Sequence, residues 1–311
     1  MTTLKDQPWS DRLRCPLCES EIVADDSSLR CQGCEASFPV SRGVPLLLHE
    51  SFSVFDADDV ASATATKTAR RGLRRLVPDV SDNPGAADRY ADMARELMAS
   101  TPEPLVLVVG AGEGGAGTET LSGSGVELVR SDVAIGPSTD LCLDAHRIPF
   151  ADNTFDGLVA QAVLEHVADP YECVREFARV LKPGGVVYAE TPFMQQVHMG
   201  AHDFTRFTPL GHRRLFRRFD ELSSGVAVGP GSALAWSLVY FFVSFSRGRA
   251  SRRLLNVGSR LAFFWLRYLD RFLVGSPAAT DAAAGVFFMG RLSDGVLSDR
   301  ELLDLYPGSI T

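Results

Sequence analysis

Two pairs of cysteines near the amino terminus have the spacing of a metal site: Cys15-Pro16-Leu17-Cys18, twelve residues, then Cys31-Gln32-Gly33-Cys34. Each Cys-x-x-Cys knuckle turns two thiolates toward one point, and two knuckles complete a tetrahedral sulfur shell of the kind that holds zinc. With every position filled by protein sulfur, no place is left for water or substrate. The zinc expected at Cys15, Cys18, Cys31 and Cys34 is therefore structural. A segment this short has little core of its own, so metal binding would supply much of its folding free energy. Four unrelated cysteines or a redox dithiol are the alternatives, and paired knuckles at this spacing argue against both. The other cysteines, Cys142 and Cys173, stand alone in apolar surroundings.

A second concentration of chemistry begins where the apolar run 105–109 meets Gly110-Ala111-Gly112-Glu113-Gly114-Gly115. Glycines there let the backbone turn sharply and approach a ligand, with a helix amino terminus nearby. Taken alone, such a run suits a dinucleotide equally well. Asp132, at the end of the next strand (126–130), is placed to accept hydrogen bonds from ribose hydroxyls, its alternative being a cap or turn residue. Asp144 is placed for an adenine amino group, with the Ala145 N–H offered to the ring. Gln161, closing a fourth strand, joins Gly110, Ala111, Gly112, Asp132, Asp144 and Ala145 as a candidate cofactor contact.

A third group follows the fifth strand, where open α/β sheets place their ligands. The stretch 193–209 holds His198, His202, Asp203 and Arg206 among phenylalanines. His198 and His202 are candidate general bases, and His166, at the fourth strand end, is another. The competing role for His202, Asp203 and Arg206 is a hydrogen-bonded lock on a lid. The spacing of the three histidines does not suggest a second metal.

The elements that must position these groups alternate strand and helix. Asp169-Pro170 starts a helix, aspartate being a good N-cap and proline favoured at the first helical position. Lys182-Pro183-Gly184-Gly185 stops it, and 186–190 gives the fifth strand. Residues 225–229 and 285–290 read as the sixth and seventh strands. Residues 86–100 have helical periodicity, with Tyr90 a candidate to cover the cofactor, and 38–48 read as strand, turn at Arg42-Gly43, strand.

The ordered set Gly110-x-Gly112-x-Gly114, Asp132, Asp144-Ala145, Phe155-Asp156, Leu164-Glu165-His166-Val167 and Leu181-Lys182-Pro183-Gly184-Gly185 resembles class I S-adenosylmethionine-dependent methyltransferases. More narrowly, it resembles the small-molecule and ubiquinone-type methylating enzymes, over about residues 105–192. The first fifty residues, with Gly43-Val44-Pro45-Leu46-Leu47 after the knuckles, resemble the zinc ribbons of small methyltransferase-activating proteins, which dock on methyltransferase domains. The implied fold is α/β: a doubly wound, mostly parallel seven-stranded sheet, a small amino-terminal ribbon and a helical insertion before the last strand. The implied division is 1–50 ribbon, 51–85 linker and 86–311 methyltransferase domain, with the insertion at about 231–275. The loop His202-Asp203-Phe204-Thr205-Arg206-Phe207-Thr208-Pro209 resembles a group found with glycan and natural-product pathways. The implied cofactor is S-adenosylmethionine, and the implied reaction is methylation of an oxygen or nitrogen on a small molecule, glycan or lipid-linked intermediate. One departure stands out: where the resemblance implies an acidic residue two positions before the first glycine, this chain has Val108. The consequence expected is compensation by Glu113, weaker cofactor affinity or a loss of turnover. The alternatives to a small-molecule enzyme are a non-catalytic scaffold or partner-activating protein working through the ribbon, and an RNA methyltransferase.

Composition bounds the partners. The chain of 311 residues is 45% hydrophobic and 23% charged, with a net charge of −8, so a core-forming protein is expected and DNA is not. The same acidity weighs against RNA. No apolar leader is visible, and the longest apolar stretch, 233–245, is too short to span a bilayer. A cytoplasmic protein is expected. From Leu222 to Leu269 there is no acidic residue but there are six arginines, Arg247, Arg249, Arg252, Arg253, Arg260 and Arg267. Two helices are expected there, at 233–245 and 254–273. Their surface reads as a helical cap, a face lying on an anionic membrane, or a homodimer interface.

Overall fold

In the computed structural model, residues 7–25, 28–62, 77–112, 117–306 and 308 are described; the basic run at 70–75 and Glu113 lie outside them. The ribbon is an antiparallel meander of β1 (Ile22–Ala24), β2 (Ser28–Cys31), β3 (Ser37–Ser41) and β4 (Val44–Leu47). Its last turn holds Arg42 at φ 53° and Gly43 at φ 81°. Two successive positive φ values are what a two-residue hairpin loop needs to match the strand twist, and glycine adopts them without strain. After α1 (Ala57–Ser62) and α2 (Ala86–Ser100) come β5 (Leu105–Val109), α3 (Thr118–Ser122), β6 (Glu127–Asp132), β7 (Leu141–Leu143) and β8 (Phe155–Gln161). Then follow α4 (Pro170–Val180), β9 (Leu181–Pro192), α5 (Pro209–Leu215) and β10 (Phe219–Val228). The chain ends with α6 (Pro230–Val243), α7 (Arg249–Phe263), α8 (Asp270–Leu273), α9 (Pro277–Thr280), β11 (Gly285–Leu292) and α10 (Asp299–Asp304).

The expected seven strands are present in the order β7-β6-β5-β8-β9-β11-β10, the first five parallel and β11 antiparallel to both neighbours. The sheet does not stop at seven. Leu46 and Leu47 of β4 pair in parallel with Cys142 and Leu143 of β7, so the ribbon extends it to eleven strands. The physical reason is that β4 and β7 would each otherwise present a row of unpaired backbone groups. The two cores merge as well: Trp9, Leu13, Leu29 and Phe38 pack in the same cluster as Phe150, Phe155 and Leu158. Backbone bonds from Arg14 N to the Pro149 carbonyl (3.0 Å) and from Ala151 N to the Arg12 carbonyl (2.9 Å) fasten the join.

Helices cover both faces. Tyr90, Met93 and Leu97 of α2 pack on Val106, Val108 and Val159; Cys173 and Phe177 of α4 and Leu215 of α5 pack on Leu107, Leu158 and Ala189. Asp169 caps α4 as expected, accepting from the N–H groups of Tyr171 (3.1 Å) and Glu172 (3.0 Å), with Pro170 at the first position. Two expectations need correcting. Residues 181–185 do not lie outside the strand: β9 begins at Leu181, which pairs with Phe155, and the chain resumes at Val186 opposite Gly157 after a bulge. Lys182 donates to Asp156 (2.8 Å), whose other oxygen accepts from Leu105 N (3.0 Å), so these motif residues tie strand beginnings together, at the opposite ends of the strands from Val109 and Gln161. The second insertion helix also breaks, passing through a 3-10 stretch at Phe264–Leu269 into α8. There the buried Asp270 accepts from Gly231 N (2.7 Å), Ser232 N (3.0 Å) and Ser232 Oγ (2.6 Å), capping α6 from a distance. The linker is partly structured too: Val80 is buried against Ala235, Val239 and Leu266. Among the described residues no helix is long and apolar enough to cross a membrane.

One buried group makes stability depend on pH. His212 on α5 sits beside Phe207 and Phe216, its Nε2 without a partner, and burial reinforced by Arg213 pushes its pKa from 6.5 down to about 3. Between these values the unfolded chain binds a proton that the folded chain refuses. Stability therefore falls as pH drops below 6.5, with a limiting slope of about 1.4 kcal/mol per pH unit from this residue. The urea midpoint of His212→Phe is expected to fall less than that of the parent between pH 7 and pH 5; equal falls would contradict this role.

Candidate active site

The carboxyl ends of β5, β6, β7, β8 and β9 share one edge of the sheet, and the strand order reverses between β5 and β8. That reversal opens a crevice where ligands bind in open α/β sheets. Gly110 turns the chain there at φ 76°, and a Cβ on it would lie 2.5 Å from Val163 Cγ2, so only glycine fits. Ala111 N then donates to the Ser131 carbonyl (2.9 Å) and Gly112 N to Asp132 Oδ2 (2.8 Å). The second Asp132 oxygen accepts from Ala134 N (3.1 Å). Burial raises the pKa of Asp132 against these hydrogen bonds. Each oxygen keeps a further lone pair. A pocket lined by Val108, Gly110, Ala111, Thr118, Arg130 and Gln161 lies at this point.

Asp144 and Ala145 are buried at the next strand end. The Asp144 carboxylate faces its own turn, with Oδ1 accepting from His146 N (3.0 Å) and approached by His146 Nδ1 (2.6 Å). His146 Nε2 accepts in turn from Asp169 N (3.0 Å), so Nδ1 carries the proton that Asp144 receives. This pairing competes with the adenine contact expected of Asp144. Tyr90 is buried, its ring 4.9 Å from that of Tyr188 and packed close to Gly117 at the end of the glycine-rich loop.

Sequence reasoning missed a polar network beside the pocket. Glu190, near the end of β9, accepts from Gln161 Nε2 (2.8 Å), Asn83 Nδ2 (2.9 Å), Arg89 Nη2 (3.2 Å) and the Tyr188 hydroxyl. Arg89 Nε also donates to the Tyr188 hydroxyl (2.9 Å). By strand alternation Glu190 shares a sheet face with Val108, two strands away. A carboxylate closing an otherwise apolar strand was the available signal for Glu190; nothing in the sequence pointed to Asn83 or Arg89.

The histidines divide. His166 Nε2 and His198 Nε2 approach to 3.0 Å, while His166 Nδ1 donates to the His202 carbonyl (2.7 Å). The His202 ring lies elsewhere, stacked on Phe55 at 5.3 Å between centroids, so His202 joins the pair only through its backbone. Beneath the pair lies Glu165, 1% exposed, with neither carboxylate oxygen hydrogen-bonded. Burial pushes the Glu165 carboxyl up to about 8 and the pKa values of His166 and His198 down. The loop above is locked by Arg206, which grips both Asp203 oxygens and donates to the carbonyls of Gln195 (2.8 Å) and Gln196 (3.2 Å). The guanidinium holds the Asp203 carboxyl down to about 2.

At the far end of the ribbon, the sulfurs of Cys15, Cys18, Cys31 and Cys34 lie within 4.8 Å of one another. Cys15 and Cys34 are 3.7 Å apart, and Cys18 and Cys31 3.3 Å. Four thiolates at about 2.3 Å from a tetrahedral ion stand roughly 3.8 Å apart, so the group has the dimensions of a metal shell.

Removal of the loop's lock is testable. The Asp203 side chain is 1% exposed and that of Arg206 23%, so Arg206→Ala leaves a buried carboxylate without its cation. A loss of about 2–3 kcal/mol in urea unfolding at neutral pH is expected, partly restored by Arg206→Lys. Unchanged stability would contradict the lock.

Comparison with known proteins adds a family to this geometry. Residues 107–189 match the family described as methyltransferase domain. A demethylmenaquinone methyltransferase of Renibacterium salmoninarum is 32% identical over 117 residues, 34% of this chain and 49% of the relative. One from Paenarthrobacter aurescens is 36% identical over 143 residues, 42% of this chain and 49% of the relative. The chain thus spans about half the length of these curated relatives. Among solved structures, a Haemonchus contortus phosphoethanolamine N-methyltransferase 2 in complex with S-adenosyl-L-methionine aligns with a TM-score of 0.44 and 14% identity, covering 68% of this chain and 54% of that one. Residues 107–189 are thus similar to a methyltransferase domain, and the named relatives are methyltransferases.

Proposed function

We propose that this chain transfers a methyl group from S-adenosylmethionine to an oxygen or nitrogen of a small molecule, glycan or lipid-linked intermediate. The observation that carries this proposal is the convergence of a glycine turn, Asp132 and the His166–His198 pair on one edge of the sheet. When bound, S-adenosylmethionine supplies a methyl group on a positively charged sulfur. Gly110 and Gly112 bring the backbone close to it, and Asp132 takes the ribose hydroxyls with its remaining lone pairs. Glu190, held by Asn83, Arg89 and the Tyr188 hydroxyl, fixes the Gln161 amide at the edge of the pocket. His166, its Nδ1–H held by the His202 carbonyl, presents a lone pair at Nε2 to the acceptor's proton. The loop fixed by Arg206 orients the acceptor and limits water, and this positioning contributes much of the rate.

Zinc at the four cysteines completes the proposal as a structural ion. The ribbon's last strand is already paired with β7, which supports a ribbon working within its own chain over one that activates a separate partner. The lipid-linked option draws support from the insertion, where Phe241, Phe245, Leu254, Trp265 and Phe272 are exposed beside arginines at 249, 252 and 253. Flotation with anionic vesicles is expected to carry the protein, and neutral vesicles much less. Failure to float with either would remove the membrane-presented substrate.

Isothermal titration tests the cofactor assignment. S-adenosylmethionine is expected to bind the full chain, and Asp132→Ala and Glu190→Gln are each expected to weaken it about tenfold or more, the loss of a hydrogen bond to a charged group. Absence of binding at millimolar ligand would remove the enzyme reading.

A further inference from the structure

We propose that Glu165, His166 and His198 hold a second metal ion, a divalent cation of the zinc class, with an open coordination position that takes an oxygen of the methyl acceptor. One ligand atom from each residue lies within 4.8 Å of the others. The Nε2 atoms are 3.0 Å apart, and Glu165 Oε1 is 3.6 Å from His166 Nε2 and 3.9 Å from His198 Nε2. Ligands at about 2.0–2.1 Å from a tetrahedral ion stand roughly 3.3 Å apart, so these distances bracket such a shell.

Three observations independent of that spacing point the same way. Glu165 is a carboxylate 1% exposed, and both its oxygens lack a hydrogen-bond partner. A buried acceptor costs free energy unless something compensates it, and an ion between the carboxylate and the two imidazoles does so. The outer contact of His166 is that of a metal-bound histidine. His166 Nδ1 donates to the His202 carbonyl (2.7 Å), which leaves a lone pair at Nε2. His198 Nδ1 lies 3.5 Å from both Asp203 Oδ2 and Arg206 Nη2, and the same carboxylate oxygen accepts from His198 N (2.9 Å). Finally, the Glu165 carbonyl accepts from Phe204 N (2.8 Å) and Thr205 N (3.2 Å), which clamps the loop carrying His198 over the end of β8. Two imidazoles and one carboxylate on one ion, with a position left open, form the donor set of a catalytic site, in contrast to the closed shell of the ribbon.

The ion's use rests on the methyl-transfer reading: coordination acidifies an acceptor hydroxyl, whose proton passes to water, and holds the resulting oxygen beside the cofactor crevice. With the ion bound, the Nε2 lone pairs of His166 and His198 are taken up in coordination, so water replaces His166 as the acceptor of that proton. Occupancy itself does not depend on that reading. The test is metal content, measured by mass spectrometry on the full chain saturated with zinc and passed over a gel-filtration column in weak chelator. Two equivalents per chain are expected for the parent, and one for Glu165→Gln and for His198→Ala. With cobalt in place of zinc, the variants should keep the thiolate charge-transfer bands of the ribbon and lose the bands that lack them. One equivalent in the parent, or two persisting in both variants, would overturn the site. Far-ultraviolet circular dichroism establishes that the variants are folded, Glu165→Gln being a neutral isostere. S-adenosylmethionine titration of the same samples reads the methyl-transfer assignment separately, so either can fail alone.

Discussion

Parallel pairing of β5 with both β6 and β8 is the interaction on which the rest of the structure depends. Because parallel strands point the same way, the residues that end them are delivered to a single edge whatever their separation along the chain. Gly110, Asp132, Asp144, Gln161 and Glu190 all reach that edge by this means. The reversal of strand order between β5 and β8 then leaves a gap that the helices on the two faces do not fill. The glycine turn is an outcome of the same constraint: the strand must turn tightly against Val163, and a side chain at Gly110 would collide with it.

The ribbon follows a related logic at the sheet's other margin. Four short strands bury too little apolar surface to stand alone, and a metal at the four thiolates, as proposed, would offset part of that deficit. The rest comes from the larger domain, through the β4–β7 pairing and a core in which Trp9 meets Phe150 at 5.9 Å between ring centroids. The ribbon is thereby continuous with the sheet that ends in Asp132.

Local signals were legible where local chemistry decides structure. The cysteine knuckles, the glycine turn, the Asp169-Pro170 helix start and the hairpin at Arg42-Gly43 each depend on a few adjacent residues, and each is found where the sequence places it. Contacts made across the fold were not legible. Glu165 and His198 stand 33 positions apart, and nothing local says that the loop after β9 folds back over the end of β8. The network around Glu190 likewise joins α2, the segment before it and two strands. Asp144 shows the converse failure: its position at a strand end is as read, but its neighbour His146 competes for the carboxylate. His202 sits in the loop as read, yet its ring is taken by Phe55 on the ribbon side of the chain. Val108 looked like a loss when read along the strand, whereas across the sheet a carboxylate lies on the same face.

On the proposed function, S-adenosylmethionine lies along the crest formed by these strand ends. Amide hydrogen exchange of the full chain, with and without saturating S-adenosylmethionine, tests it most directly. Slowed exchange is expected at 110–112, around 132–134, at 144–146 and across 83–90, with the ribbon strands β1–β3 unchanged. Protection confined to the ribbon or to the helical insertion, or absent everywhere, would contradict it.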